Sequence, residues 1–129
     1  MSRLFVLLAM IFCHIIDDYV LQALGPLAKI KQKKWWEDNA PQKLYEYDFL
    51  WALLMHSFSW SFMIMLPIFL VSNFQVTGTM LSFFLWNIFI HAFTDNLKAN
   101  QLKINLWQDQ LIHMSQISVT WFVYAGGLF

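Results

Sequence analysis

Asn87-Ile88-Phe89-Ile90-His91-Ala92-Phe93-Thr94-Asp95-Asn96-Leu97-Lys98 closes the third of four hydrophobic segments, and its spacing decides how the chain is read. His91 and Asp95 are four residues apart. On a helix that separation turns the side chain by about 40° and raises it by about 6 Å, so both lie on one face. Asn87 and Lys98 fall on the same stripe. The first segment repeats the pairing with His14 and Asp18, continued by Gln22, and Asp17 also lies close enough to that stripe to turn inward. The last segment repeats it in reverse order with Asp109 and His113, with Gln110 beside them. His56, flanked by Ser57, Ser59 and Ser61, sits in the second segment. An apolar chain that spaces histidine and carboxylate this way on three segments is expected to build one buried polar site.

The composition sets the environment. Of 129 residues, 59% are hydrophobic and only 12% are charged, with zero net charge; soluble domains carry about 25% charged residues. A soluble helical domain would expose too much of this apolar surface. Net neutrality removes the basic footprint expected of a nucleic-acid binder. Cys13 is the single cysteine, so no intrachain disulfide forms. The start resembles a signal peptide, but its apolar run continues through Asp17 and Asp18 with no small-x-small cleavage site.

A helix needs about 20 residues to cross the hydrocarbon core. The pattern predicts an all-α, single-domain, four-helix transmembrane bundle over residues 1–129, with helices at about 4–24, 48–72, 80–97 and 107–129. Gly25-Pro26 ends the first, and Pro67 predicts a kink in the second. Residues 27–47 hold Lys29, Lys31, Lys33, Lys34 and Lys43 with Trp35 and Trp36 among them. This reads as an interfacial basic and aromatic loop containing a short helix, its tryptophans at the membrane boundary. The first and third loops together carry seven of the eight basic residues. The positive-inside rule then makes this a multi-pass protein of the cytoplasmic membrane, with loops one and three in the cytoplasm.

That orientation is checked by depth. Asp18, His56, His91, Asp95, Asp109 and His113 all fall in the cytoplasmic half of the bilayer, with His14 one turn deeper. Four aspartates there, at roughly 2.5 to 3.5 kcal/mol each at the bilayer centre, would oppose insertion by about 10 to 14 kcal/mol at most, less near the interface. A bound cation would offset that cost, as would shared protons or helix-to-helix hydrogen bonds. Imidazole with carboxylate suits a divalent transition metal, zinc first, with iron or manganese as alternatives. His14, Asp18, His56, His91, Asp95, Asp109 and His113 are the candidate ligands. Neither H-E-x-x-H nor G-x-S-x-G occurs.

At these residues the chain resembles a family of small polytopic membrane proteins of unknown function from bacteria and their phages. The shared pattern is H-x3-D-x3-Q (His14, Asp18, Gln22), a loop lysine (Lys31), a histidine (His56), H-x3-D-x2-K (His91, Asp95, Lys98) and D-Q-x2-H (Asp109, Gln110, His113). It is also distantly similar to membrane-bound metal-dependent hydrolases. The resemblance implies hydrolysis of a lipid or other amphipathic phosphoester at the cytoplasmic side. In that reading Asp17 or Asp18 is the general base. Lys98 joins the catalytic group and, with Lys31, Gln22 and Gln110, contacts the substrate. Membrane lipids are the expected partners, with homo-oligomerisation open. The rivals are a metal-ion or proton transport protein and a phage accessory protein whose polar residues only join helices.

The topology has a direct test. In a Cys13→Ser background, Asp38→Cys and Lys43→Cys should resist an impermeant thiol reagent on intact cells and react after permeabilisation. Efficient labelling from outside sinks the assignment.

Overall fold

The computed structural model describes residues 2–129 and contains no strand among them. Its elements are α1 (Arg3–Leu24), α2 (Leu27–Ile30), α3 (Lys33–Asn39), a single 3-10 turn (Lys43–Tyr45), α4 (Asp48–Val71), α5 (Gly78–Ala99) and α6 (Leu106–Ala125). The four long helices agree with the sequence reading to within a few residues, and the chain leaves α6 at Ala125, four residues before its end.

Local chemistry sets these limits. Ser2 caps α1 by accepting from the Phe5 N–H at 3.2 Å, and Thr77 caps α5 through the Met80 N–H at 3.2 Å. Asn105 and Gln108 form a reciprocal capping box at the start of α6. Each satisfies amide donors that have no partner within the first turn. Gly25 stops α1 in an extended conformation (φ −111°, ψ 177°), as the clash with a following proline requires. α4 continues unbroken through Pro67.

The helix faces are inverted relative to a water-soluble protein. α5 buries Asn87, His91, Thr94 and Asp95 while exposing Leu81, Leu85, Phe89 and Phe93. α6 buries Asp109, His113, Gln116 and Thr120 while exposing Leu106, Trp107, Leu111 and Phe122. Two helical stretches among the described residues, Arg3–Leu24 and Lys43–Val71, are long and apolar enough to cross a membrane. In α5 and α6 the buried polar residues, with exposed Thr79, Ser82, Gln108 and Ser115, lower the average hydropathy.

α1 packs on α4 and α6, and α5 packs on α4 and α6. One end of the assembly is apolar: Val6, Met10, Ile64, Met65, Ile68, Met80 and Ile117 make a closed cluster. The other end holds the histidines and aspartates. The segment between α1 and α4 folds as two short helices and the 3-10 turn rather than one. It is fastened to the end of α5 by Asn100, whose amide donates to the Lys31 carbonyl (3.1 Å) and accepts from the Lys33 N–H (2.7 Å). Trp36 Nε1 donates to the Ile30 carbonyl at 2.6 Å.

The inverted faces predict an asymmetry in stability. Ile64→Ala, at a site with no exposed surface, should destabilise the folded chain in detergent by about 2 to 5 kcal/mol. Phe89→Ala, 68% exposed, should shift it by no more than about 0.5 kcal/mol. Equal losses in reversible unfolding would refute the assignment of faces.

Candidate metal centre

Three segments carry the site, and α1 changes its winding to join it. From Ile16 to Leu21 it forms a π turn, in which the Gln22 N–H bonds to the Asp17 carbonyl, five residues back. Such bulges insert an extra residue into a helix and concentrate at functional sites. Here adjacent Asp17 and Asp18 are both brought to the polar interior, Asp17 buried and Asp18 half-buried. A regular α-helix would turn them about 100° apart.

His56 Nε2 is the crowded point. Gln22 Nε2 lies 2.9 Å away, His91 Nε2 3.1 Å, Asp95 Oδ2 3.4 Å and Asp18 Oδ1 3.6 Å. One imidazole nitrogen has one lone pair or one proton, so it cannot hydrogen-bond to all four. His113 Nε2 has a similar environment, 3.4 Å from Asp109 Oδ1 and 3.6 Å from Asp95 Oδ1. These imidazole–carboxylate separations exceed ordinary hydrogen bonds of about 2.7 to 3.2 Å. They match the edge of a tetrahedron whose centre is about 2.0 to 2.2 Å from each ligand, which is about 3.3 to 3.6 Å.

Two groups of donors stand close enough to hold a metal ion, Asp18 with His56 and His91, and His91 with Asp95 and His113, each with its ligand atoms within 4.8 Å of one another. Asp17 Oδ2, Asp109 Oδ1, His91 Nδ1 and His113 Nε2 are buried with no hydrogen-bond partner. Hard and borderline donors with unmet capacity suit a divalent cation chemically.

Charge points the same way. Lys31 Nζ pairs with Asp95, and Lys98 Nζ with Asp109 Oδ2 at 2.6 Å. Asp17 Oδ1 accepts only from Ser59 Oγ at 2.6 Å. Four aspartates stand against two lysines, which leaves carboxylate charge for a protonated histidine or a cation to balance. An uncompensated buried charge is costly.

His14 is held for a different purpose. Trp60 Nε1 donates to its Nδ1 at 2.8 Å, and Gln110 Oε1 lies 3.1 Å from its Nε2. Indole N–H is only a donor, so Nδ1 must accept and Nε2 must carry the proton. Both ring nitrogens are engaged, and His14 belongs to neither group of metal donors. Trp60 is the residue that sequence reasoning missed. It is fully buried, stacks on His91 at 4.2 Å and lies 5.2 Å from the His113 ring. Its position four residues after His56, on one helical stripe, was the available signal.

Gln22, Lys31, Lys98 and Gln110, expected at the substrate, line one cleft of about 250 Å³ together with Asp18 and Asp95. Tyr19 and Leu106 form its apolar edge. Comparison with protein-family models, curated proteins and solved structures finds no match to this chain.

The His14 tautomer is testable. Its Nδ1 should show the nitrogen-15 shift of an unprotonated imidazole nitrogen. Trp60→Phe, which keeps a stacking ring but removes the donor, should cost about 1 to 3 kcal/mol of stability. A protonated Nδ1 would contradict the arrangement.

Proposed function

We propose that the chain is a four-helix transmembrane bundle and a membrane-embedded metal-dependent hydrolase, acting on an anionic amphipathic ester such as a phospholipid. The observation that carries this reading is the crowding around His56 Nε2 of two carboxylate oxygens at coordination-edge distances, 3.4 and 3.6 Å, with a second imidazole nitrogen at 3.1 Å. The motif resemblance implies the same chemistry. The outward faces of α5 and α6 are mostly apolar, which supports four crossings rather than two. The lysine-rich loop then lies at the cytoplasmic surface.

His56, His91 and Asp18 hold the ion, zinc being the first choice for two nitrogens and one carboxylate. Three protein ligands leave a position for water, the pattern of catalytic rather than structural sites. A bound divalent ion would supply Lewis acidity and activate water at neutral pH. Asp17 Oδ2, 3.8 Å from His56 Nδ1 and beyond hydrogen-bond reach, lies behind the ring, on the side where outer carboxylates support metal-binding histidines. The general-base role expected of Asp17 or Asp18 therefore falls to Asp18, the one of the pair that lines the cleft. A carboxylate that binds through one oxygen keeps the other for a proton.

Lys31 and Lys98 face the same cleft and attract an anionic headgroup, while exposed Tyr19, Leu24 and Leu106 beside them suit acyl chains. Lys31 is paired with Asp95 at this cleft, and its ammonium would be available to a substrate anion if that pairing were exchanged. The apolar cluster beyond the site closes the route to the opposite face, which disfavours transport.

A second reading, polar residues that only join helices, is favoured by the two lysine–aspartate pairs, which neutralise part of the charge without a metal. Metal content separates the two. Purified without chelator, the protein should retain stoichiometric zinc. His56→Ala and His91→Ala should lose it and His14→Ala should keep it. Zinc at a hundred times its dissociation constant should stabilise the wild type by about 2.7 kcal/mol. Metal-free protein that zinc does not stabilise would establish the second reading.

A further inference from the structure

We propose that Asp95 bridges two divalent cations, the second held by Asp95 Oδ1, His113 Nε2 and Asp109 Oδ1. This deepens the metal-site reading above and rests on it. The two oxygens of Asp95 address different imidazoles: Oδ2 lies 3.4 Å from His56 Nε2, and Oδ1 lies 3.6 Å from His113 Nε2. The donor groups are Asp18 with His56 and His91, and His91 with Asp95 and His113; Asp109 adds to the second through its Oδ1, 3.4 Å from His113 Nε2. One ion with bonds of about 2.0 to 2.2 Å spans ligands no more than about 4.4 Å apart. A carboxylate bridging two such ions matches the spacing of about 3.5 to 4 Å found in dinuclear hydrolytic sites.

Independent evidence lies on the far side of Asp95. Asp109 is fully buried, and its Oδ2 is occupied by Lys98 Nζ at 2.6 Å and Gln110 Nε2 at 3.1 Å. Its Oδ1 has no hydrogen-bond partner, nor does the fully buried His113 Nε2, and the two lie 3.4 Å apart. Behind His113, Gln116 Oε1 lies 3.5 Å from Nδ1, and Gln116 is itself anchored on Asn87. The Gln116 contact is at the long limit of a hydrogen bond, and it leaves Nε2 as the nitrogen turned toward Asp109 and Asp95. Lys98 and Gln110 serve Asp109 in the same way.

The charge follows. One divalent ion would balance most of the carboxylate charge, so a second would need an anionic partner at the cleft. A dianionic phosphate monoester or a phosphodiester with a second anionic group answers that charge, and Lys98 already stands at the cleft mouth. The fully loaded site is therefore selective for phosphate-bearing over neutral esters.

The test uses the full chain in detergent, stripped of metal and titrated with manganese under electron paramagnetic resonance. Two manganese ions should bind per chain and give the multiline spectrum of an exchange-coupled pair. His113→Ala should bind one ion with a simple six-line spectrum, at unchanged helicity. Asp109→Asn, which preserves shape, should do the same if His113→Ala does not fold. Single occupancy in the wild type, or two uncoupled ions, would overturn the bridge while leaving the first site intact. No manganese or zinc bound at all would overturn both.

Discussion

Enclosed carboxylate charge is the constraint on which the rest of the structure depends. The long helices turn mostly apolar side chains outward and gather Asp17, Asp18, Asp95 and Asp109 inside or at one cleft, where their charge needs partners. Each feature that departs from a plain helical bundle answers that need. The π turn delivers two adjacent aspartates instead of one. The short helices after Pro26 return Lys31 to the interior, where its ammonium meets Asp95. Asn100 clamps the backbone on both sides of Lys31, from Lys31 O to Lys33 N, so this pairing does not depend on a flexible loop. Lys98 reaches across from α5 to Asp109 on α6.

The histidines are ordered by packing as much as by hydrogen bonds. Trp60 is a platform: His91 lies flat on it, His91 and His113 stack at 4.2 Å, and His14 is locked by the indole N–H. A ring held on its face has one remaining freedom, rotation in its plane, and the hydrogen bonds at its edge remove that. Preorganisation of this kind is what a metal or substrate site needs from its support. Beyond Trp60, Ile64 and Ile68 continue the same stripe of α4 into the apolar cluster, so the polar centre is open at one end only.

The large features were legible because they rest on periodicity and termini. Four-residue spacing placed His91 with Asp95 and Asp109 with His113, and the caps at Thr77 and Asn105 agree with the helix starts read from hydropathy. What escaped is non-periodic. Nothing in Ile16–Leu21 announces a π turn in the spacing of its residues, and the stretch packs against α4. Trp60 was hidden by its own hydrophobicity, since an aromatic residue on a buried helix is unremarkable until its N–H finds a partner. Asn100 sits in a polar loop where such residues are common. His14 shows the opposite error: its spacing from Asp18 equals that of a ligand pair, yet Trp60 and Gln110 occupy both nitrogens, and spacing alone cannot report a third residue.

The central claim is that these imidazoles and carboxylates enclose a divalent cation. X-ray absorption at the zinc edge of protein loaded with one equivalent tests it most directly. The account predicts a shell of nitrogen and oxygen at about 2.0 to 2.1 Å, with imidazole scattering from two histidines and no sulfur. A sulfur neighbour at about 2.3 Å, which would implicate Cys13, would contradict it. So would the spectrum of hydrated zinc with no imidazole contribution.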